Sequence, residues 1–308
     1  MASLFPRFDR ITLVYKTLGG TDFLAAALVP KSLSTEEKKS CPVLVHFHGG
    51  GLVNGSILEP AYLCQWPLEL AESKDAIIVS PEYRLMPEAN GADILEDIKD
   101  FWTWVHTTLP IAISGLRPNL TLDLDRIAAV GESAGGYLAM QSGFLFPEAK
   151  VRVIMAQYCA MYPDVRRYTP HATDLLEKEN ALVDTYLKQI KPGTMRLSTP
   201  FPTMIDFVIS LLKTGRKEEV MGNDARLRLD YCLRTTKEIP PMWIAQGTED
   251  HIMPKEATDE MVEKIKKIRH EVPLLYSVQP GDHGFDKDYK LCDPWLAEAM
   301  VFVGKYWP

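Results

Sequence analysis

The sequence predicts an α/β fold in which helices cover both faces of a mostly parallel β-sheet. Apolar runs of strand length alternate along the chain with segments whose apolar residues have helical spacing. The run "PVLVHF" (42–47) is almost wholly apolar, which is typical of a strand buried on both faces. A chain of 308 residues, 46% of them hydrophobic, has enough apolar side chains for such a core. Repeated strand–helix units favour parallel strands, because each helix returns the chain to the edge where the next strand begins.

The elements follow in chain order. "ITLVYKTLGGTDFLAAALVP" (11–30) predicts two antiparallel strands joined at a Gly-Gly turn. Further strands are predicted at "PVLVHF", "AIIVSPEY", "RIAAVG", "VRVIMAQY", "PMWIAQG" and "LLYSVQPG". Helices are predicted over about 60–73, over 91–109, from Ala134 onward, and over about 174–190, 203–214, 255–269 and 292–306.

The alternation lapses between about residues 160 and 238, a stretch that contains five prolines. We interpret residues 160–237 as a helical cap inserted into a core formed by residues 1–159 and 238–308. In an open α/β sheet, ligands bind at the carboxyl ends of the strands, so we expect the site at that edge.

Charge and cysteine content exclude several classes of protein. The formal net charge is −7 and the basic residues are scattered, which argues against a nucleic-acid surface. The N-terminal stretch lacks the apolar run of a signal peptide, and no apolar run reaches the roughly 20 residues of a membrane span. Five dispersed cysteines without a CxxC pair predict reduced thiols and no metal site. We therefore expect a cytoplasmic protein.

The stretch "GESAGG" (131–136) matches the G-x-S-x-G pattern and stands between a predicted strand and a predicted helix. A serine exposed on such a sharp turn needs strained backbone dihedrals. Side chains at Gly131 and Gly135 would collide with the neighbouring strand and helix. The following helix also directs its free N–H groups toward the serine. Ser133 is therefore the candidate nucleophile.

A serine hydroxyl needs a general base, and the base needs a carboxylate to orient it. His283, in "GDHGF", follows the last predicted strand and is the candidate base. Asp250, in "GTEDHIMP", follows the preceding strand and is the favoured acid, with the adjacent Glu249 as the alternative. Asp282 and Asp286 flank the histidine too closely to reach its far nitrogen easily. The chain order of serine, aspartate and histidine is that of an α/β hydrolase triad.

Three consecutive glycines follow the buried strand "PVLVHF", in "HGGG" (48–51). Their N–H groups are open to a substrate oxygen because no side chain stands in the way. Gly50 and Gly51 are candidate oxyanion donors, together with the N–H of Ala134 beside the serine.

The motifs "HFHGGG", "YRLMPE" (83–88), "GESAGG" and "GDHGF" together resemble the hormone-sensitive-lipase-like branch of the α/β-hydrolases. The resemblance implies an eight-stranded sheet, a helical cap, no cofactor, and ester hydrolysis through an acyl-enzyme. Leu52 stands where the family usually has tryptophan, and Met86 replaces the usual alanine. The resemblance also implies supporting residues that do not react themselves: His48, Gly49, Glu132, Arg84 and Glu88.

Three functions remain open at this stage. The first is a serine carboxylesterase acting on a small-molecule acyl ester. The second keeps the same machinery but takes an acyl thioester on an acyl carrier protein, releasing or cyclising a polyketide-type chain. The third is a non-catalytic binding protein on the same scaffold, which the retained His283 disfavours.

The cap and the last helix suggest further roles. The following cap and strand residues could line an acyl pocket: Met155, Met161, Met195, Phe201, Met204, Ile205, Phe207, Ile209 and Leu211. The apolar final helix "WLAEAMVFVGKYW" (295–307) is a hypothetical homodimer surface.

Overall fold

The computed structural model describes residues 5–33, 36–159 and 173–308. One eight-stranded sheet organises the fold, with the spatial order β1-β2-β4-β3-β5-β6-β7-β8. The strands are β1 (Phe8–Leu18), β2 (Thr21–Pro30), β3 (Lys39–Phe47), β4 (Ile77–Pro81), β5 (Leu120–Glu132), β6 (Val151–Gln157), β7 (Met242–Gly247) and β8 (Leu274–Gln279).

The sheet is mostly parallel, as predicted. β1 pairs antiparallel with β2 across the Gly-Gly turn, and β2 pairs antiparallel with β4. Every other neighbouring pair, from β4–β3 through to β7–β8, is parallel. The strand–helix alternation read from the sequence therefore identified both the class of fold and the antiparallel start.

The described residues form ten α-helices. They are α1 (Gln65–Ser73), α2 (Gly91–Thr107), α3 (Leu109–Leu116), α4 (Ala134–Leu145), α5 (Thr173–Gln189), α6 (Ile205–Thr214), α7 (Lys217–Met221), α8 (Leu229–Thr235), α9 (Lys255–Ile268) and α10 (Pro294–Tyr306). The helix predicted from residue 60 begins at Gln65. The one predicted over 91–109 ends at Thr107, because Pro110 has no N–H to continue it; Pro110 lies instead in the first turn of α3, where that N–H would have no helical partner.

Two apolar clusters cover the two faces of the sheet. Along β3, Val43, Val45 and Phe47 pack in one cluster, whereas Leu44 packs in the other. This division follows from the two-residue period of a strand, which sends successive side chains to opposite faces. The near-continuous apolar composition of "PVLVHF" thus reflects burial on both faces, with all four side chains at 0% exposure.

The carboxyl ends of four parallel strands carry the candidate site. β3 ends before residues 48–51, and β5 ends before Ser133. β7 ends shortly before Asp250, and β8 ends shortly before His283. Parallel strands place these ends on one edge of the sheet, so residues 235 apart in sequence, 48 and 283, can meet there. The helices α5 to α8 belong to the interruption between β6 and β7; its division from the core as a cap stays a prediction.

Candidate active site

Ser133 lies on a sharp turn between β5 and α4. Its φ of 54° and ψ of −116° place it among the few non-glycine residues with a left-handed φ. The Ser133 N–H donates to the carbonyl of Gln157, on the adjacent strand β6, at 2.9 Å. Strain of this kind persists only where surrounding contacts impose it, and it concentrates at functional sites.

The glycines around Ser133 are required by close backbone contacts. A Cβ at Gly135 would lie 1.9 Å from the carbonyl oxygen of Phe47, at the end of β3. A Cβ at Gly131 would lie 2.3 Å from the carbonyl carbon of Gly135. Both neighbours are backbone atoms, which cannot move aside as a flexible side chain can. The fold therefore has the close backbone contacts that the sequence predicted, with which a side chain at either glycine would collide.

His283 and Asp250 meet although they lie on different loops. The Nδ1 atom of His283 is 2.8 Å from Oδ2 of Asp250. The other carboxylate oxygen of Asp250 accepts hydrogen bonds from the N–H groups of Ile252, at 2.9 Å, and Met253, at 2.7 Å. Gln246 also donates to Oδ2 at 3.0 Å. These bonds hold the Asp250 carboxylate in one orientation, with an oxygen directed at the imidazole.

The other carboxylates near His283 have different partners. Glu249, the alternative acid, accepts a hydrogen bond from the N–H of Gly281. Asp282 accepts from the N–H groups of His283 and of His251. Asp286 is fully buried and accepts from the indole N–H of Trp66. The geometry therefore favours Asp250 as the residue that orients the imidazole.

The glycine loop "HGGG" stands beside Ser133. Gly50 and Gly51 have φ values of 98° and 69°, and both line the same cavity as Ser133 and His283. The Gly50 carbonyl accepts from the N–H groups of Val53 and Asn54, which closes the loop. Ala134 is the first residue of α4, so its N–H belongs to the unpaired first turn of a helix.

His48 supports this loop from inside the protein. Its ring stacks on Tyr83, with centroids 4.5 Å apart, and its Nδ1 is 2.8 Å from the carbonyl oxygen of Gly49. The Tyr83 hydroxyl donates to the His48 carbonyl at 2.8 Å. Burial lowers the pKa of His48 from 6.5 to about 3, so the ring is neutral at pH 7. A Cβ at Gly49 would lie 2.9 Å from the Tyr62 ring, so a side chain there would disturb the same packing.

The remaining supporting residues lie away from the imidazole. Glu132 pairs with His46 at 2.9 Å inside the core, and its other oxygen is buried with no hydrogen-bond partner in the described part of the chain. Arg84 binds the carboxylate of Asp97 on α2 through Nε, and Glu88 pairs with Arg196. The segment "YRLMPE" therefore ties the site to its surroundings through two separate ion pairs.

A cavity of about 730 Å³ opens over Ser133 and His283. Its apolar wall comes largely from α6 and the residues just before it: Phe201, Ile205, Val208, Ile209, Leu211 and Leu212. Four of the nine pocket candidates from the sequence are in this wall. Met155, Met204 and Phe207 are instead fully or nearly fully buried in the two apolar clusters, Met195 is partly buried against one of them, and Met161 lies outside the described residues.

Sequence reasoning missed three residues that shape the site. Tyr158 lines the cavity, and its ring contacts the imidazole of His283 with centroids 4.7 Å apart. Gln246 holds Asp250, and Tyr83 holds His48. Tyr158 and Gln246 carried a usable signal, because each lies at or just beyond the end of a parallel strand. Tyr83 belongs to the motif "YRLMPE", in which the resemblance implies roles for Arg84 and Glu88 and none for the tyrosine.

Comparison with known proteins identifies the class. A family model described as alpha/beta hydrolase fold matches residues 44–286. The chain belongs to this family, and its resemblance to the hormone-sensitive-lipase-like branch is confirmed. It is 32% identical over 315 residues to a probable carboxylesterase of Phoma sp., covering 99% of this chain and 98% of that protein. The prediction of a carboxylesterase-type hydrolase is thereby confirmed at the level of enzyme class.

Two further similarities are more limited. A non-reducing polyketide synthase of Acremonium egyptiacum is 28% identical over 235 residues, which is 75% of this chain but 10% of the synthase. The butyrate-bound structure of an esterase from Thermogutta terrifontis matches with a TM-score of 0.59 at 18% identity, covering 98% of this chain and 94% of that one. At this identity the structural match supports the fold alone.

Within the ranges that the structure describes, no helix is long and apolar enough to cross a membrane. The same ranges contain no group of three or more histidine, cysteine or acidic side chains arranged to hold a metal ion.

Proposed function

We propose that the protein hydrolyses a carboxylic ester through an acyl-enzyme on Ser133, with His283 as general base and Asp250 as the orienting acid. The observation that carries this proposal is the 2.8 Å contact between His283 Nδ1 and Asp250 Oδ2 at the cavity that also exposes Ser133. An Asp–His pair beside a strained serine is the arrangement that activates a hydroxyl nucleophile.

The proposed steps use only groups at this edge of the sheet. The Nδ1–H of His283 donates to Asp250, so Nε2 has a free lone pair that takes the Ser133 hydroxyl proton as Oγ attacks the ester carbonyl. The carbonyl oxygen becomes an anion that the N–H groups of Gly50, Gly51 and Ala134 stabilise. The imidazolium then protonates the departing alcohol. Water, deprotonated by the same nitrogen, then attacks the acyl-enzyme, and the imidazolium returns a proton to Ser133 Oγ as the acid leaves.

The cavity supports an acyl group of small to medium size. The wall formed by Phe201 and α6 is apolar, and a volume of about 730 Å³ lies in the range typical of small-molecule sites. We therefore propose that the acyl chain lies against α6 and that residues 160–237 act as a cap over the core. An oxyanion donor stabilises the transition state by about 3–4 kcal/mol in other enzymes, so the glycine loop would supply much of the rate enhancement.

The first experiment measures turnover of p-nitrophenyl esters of increasing chain length by wild type and Ser133→Ala. We expect turnover by wild type and a loss of about 10⁶-fold in the variant, as for other triad serines. Ser114→Ala is the matched control, because Ser114 lies on α3 and donates to the Leu120 carbonyl. Undiminished turnover by Ser133→Ala would refute the assignment of the nucleophile.

A second candidate function is hydrolysis or cyclisation of a carrier-bound acyl thioester. The similarity to part of a non-reducing polyketide synthase favours it. In that case wild type is inert on the ester series, a fluorophosphonate still labels Ser133, and N-acetylcysteamine thioesters are turned over. Absence of labelling would instead support the non-catalytic binding protein.

The homodimer stays a prediction. Val301 on α10 is 77% exposed, so a lysine at this position would weaken an apolar contact between two copies. Light scattering measures the mass of wild type and of Val301→Lys, which shows whether wild type is a dimer and whether the variant weakens it.

A further inference from the structure

The carboxylate of Asp286 is buried beneath the loop that carries His283. We call residues 280–286 the histidine loop. Asp286 has 0% exposure, and its Oδ2 accepts a hydrogen bond from the indole N–H of Trp66 at 2.9 Å. Its Oδ1 lies 3.7 Å from the thiol sulfur of Cys64. Cys64 and Trp66 stand at the start of α1, so one side chain joins the histidine loop to a helix more than 200 residues away in sequence.

The histidine loop needs such an anchor. Gly281 and Gly284 have left-handed φ values of 128° and 84°, and glycine has little intrinsic preference for one conformation. The N-terminal half is fixed by Glu249, which accepts from the Gly281 N–H, and by Asp282, which accepts from the His251 N–H. The C-terminal half is fixed by the hydrogen bond that Asp286 accepts from Trp66.

Tyr158 connects the same carboxylate with the imidazole. Its ring meets the His283 ring edge to face, with centroids 4.7 Å apart, and meets the Phe285 ring at 5.8 Å. Burial is the main cause that raises the pKa of Asp286 to about 6; the nearby Glu132 adds to this rise, and side-chain hydrogen bonds from Trp66 and Tyr158 oppose it. Asp286 therefore faces Trp66, Cys64, Tyr158 and Glu132, and it acts on His283 only through the loop and Tyr158.

We propose that Asp286 is a positioning residue for His283. The hydrogen bond between Asp286 and Trp66 fixes the histidine loop and thereby holds the imidazole between Asp250 and Ser133. This inference rests on the proposed function, because it assumes that His283 is the general base. A carboxylate three residues after the base is too close in the chain to orient it directly, so it holds the loop instead.

The test compares Trp66→Phe with Trp295→Phe. The first keeps an aromatic ring but removes the N–H that Asp286 accepts. The second is the matched control: within the ranges that the structure describes, the indole N–H of Trp295 is buried without a hydrogen-bond partner, although its ring packs on Phe285 at 5.5 Å. Active-site titration with a fluorophosphonate normalises each preparation to its folded, reactive fraction, and kcat and KM are then measured on one ester.

We expect Trp66→Phe to lower kcat about tenfold with KM within about twofold, since a 1 Å misplacement of a reacting group can cost about 100-fold. We expect Trp295→Phe to retain the wild-type kcat. Asp286→Ala should resemble Trp66→Phe, and Asp286→Asn should recover most of the lost kcat because its amide oxygen still accepts from Trp66.

An unchanged kcat per titrated site in both Trp66→Phe and Asp286→Ala would overturn the inference. If either variant fails to fold, the other and Asp286→Asn still decide it. Failure of the underlying function has a separate signature, because Ser133→Ala would then keep the wild-type activity.

Discussion

The glycine loop packs against a buried neutral histidine, which predicts that acid destabilises the fold through His48. His48 has 0% exposure, and its Nε2 is buried with no hydrogen-bond partner among the described residues. Burial is the main cause that lowers the pKa of His48 from 6.5 to about 3; the neighbouring His46 lowers it further, and the bond to the Gly49 carbonyl opposes both. Protonation would place an unpaired N–H and a charge in the core.

The sign and size of the effect follow from the two pKa values. Between pH 6.5 and about 3 the unfolded chain binds a proton at His48 that the folded chain does not bind. Stability from this group is therefore complete above pH 6.5 and is lost as the pH falls toward 3. One pKa unit corresponds to about 1.36 kcal/mol, so acidification from pH 6.5 to pH 5 removes about 2 kcal/mol. The unfolding free energy of a whole domain is typically about 5–15 kcal/mol.

Asp286 contributes with the opposite sign in the same range. Burial raises its pKa from 3.8 to about 6, so its stability contribution is complete below pH 3.8 and is lost as the pH rises through about 6. Wild type alone would show the sum of the two effects. The informative quantity is the difference in unfolding free energy between wild type and His48→Gln, in which Asp286 cancels.

The assay is urea unfolding of both proteins at pH 7 and pH 5. The stability of wild type relative to His48→Gln should fall by about 2 kcal/mol between these pH values. His270→Gln is the control, because the His270 side chain is 85% exposed. A difference between wild type and His48→Gln that stays the same at both pH values would refute the assignment of His48 as a buried neutral residue.

The remaining predictions concern the acid, the nucleophile turn and the acyl side of the cavity. Asp250→Asn should lower kcat about 10⁴-fold by favouring the wrong imidazole tautomer, whereas Glu249→Gln should stay within about threefold; equal losses in ester turnover would contradict this. Gly135→Ala should lower Tm and abolish fluorophosphonate labelling, because its Cβ would lie 1.9 Å from the Phe47 carbonyl oxygen; normal labelling would exclude the steric argument. Ile209→Trp should fill the apolar wall and shift preference toward short esters, and an unchanged chain-length profile would place the acyl group elsewhere.

Much of this fold could be predicted because its signals are local. A buried parallel strand such as β3 is apolar on both faces, and a helix such as α2 repeats its apolar residues every three or four positions. The short helices α3, α7 and α8 escaped prediction. Eight residues or fewer give too few turns for a period to stand out, and only their packing onto longer elements makes them stable.

In the candidate site too, some residues could be predicted from local signals and others could not. Ser133, the glycine loop and His283 were predictable because each combines a motif with a strand end. The sequence favoured Asp250 but kept Glu249 as the alternative, since neighbouring carboxylates differ only in direction. The structure gives that direction, with Asp250 held by two N–H groups and Gln246, and Glu249 turned to Gly281.

The sequence by itself determined the order of the strands and longer helices along the chain, the turn that carries Ser133, and the edge of the sheet where the motifs gather. These depend on steric limits and periodicities that act over a few residues. Only the tertiary structure decided that Tyr158 packs on His283, that Asp286 bonds to Trp66, and that α6 rather than Met155 faces the cavity. Such contacts join residues far apart in the chain, and their geometry depends on how the whole core packs around them.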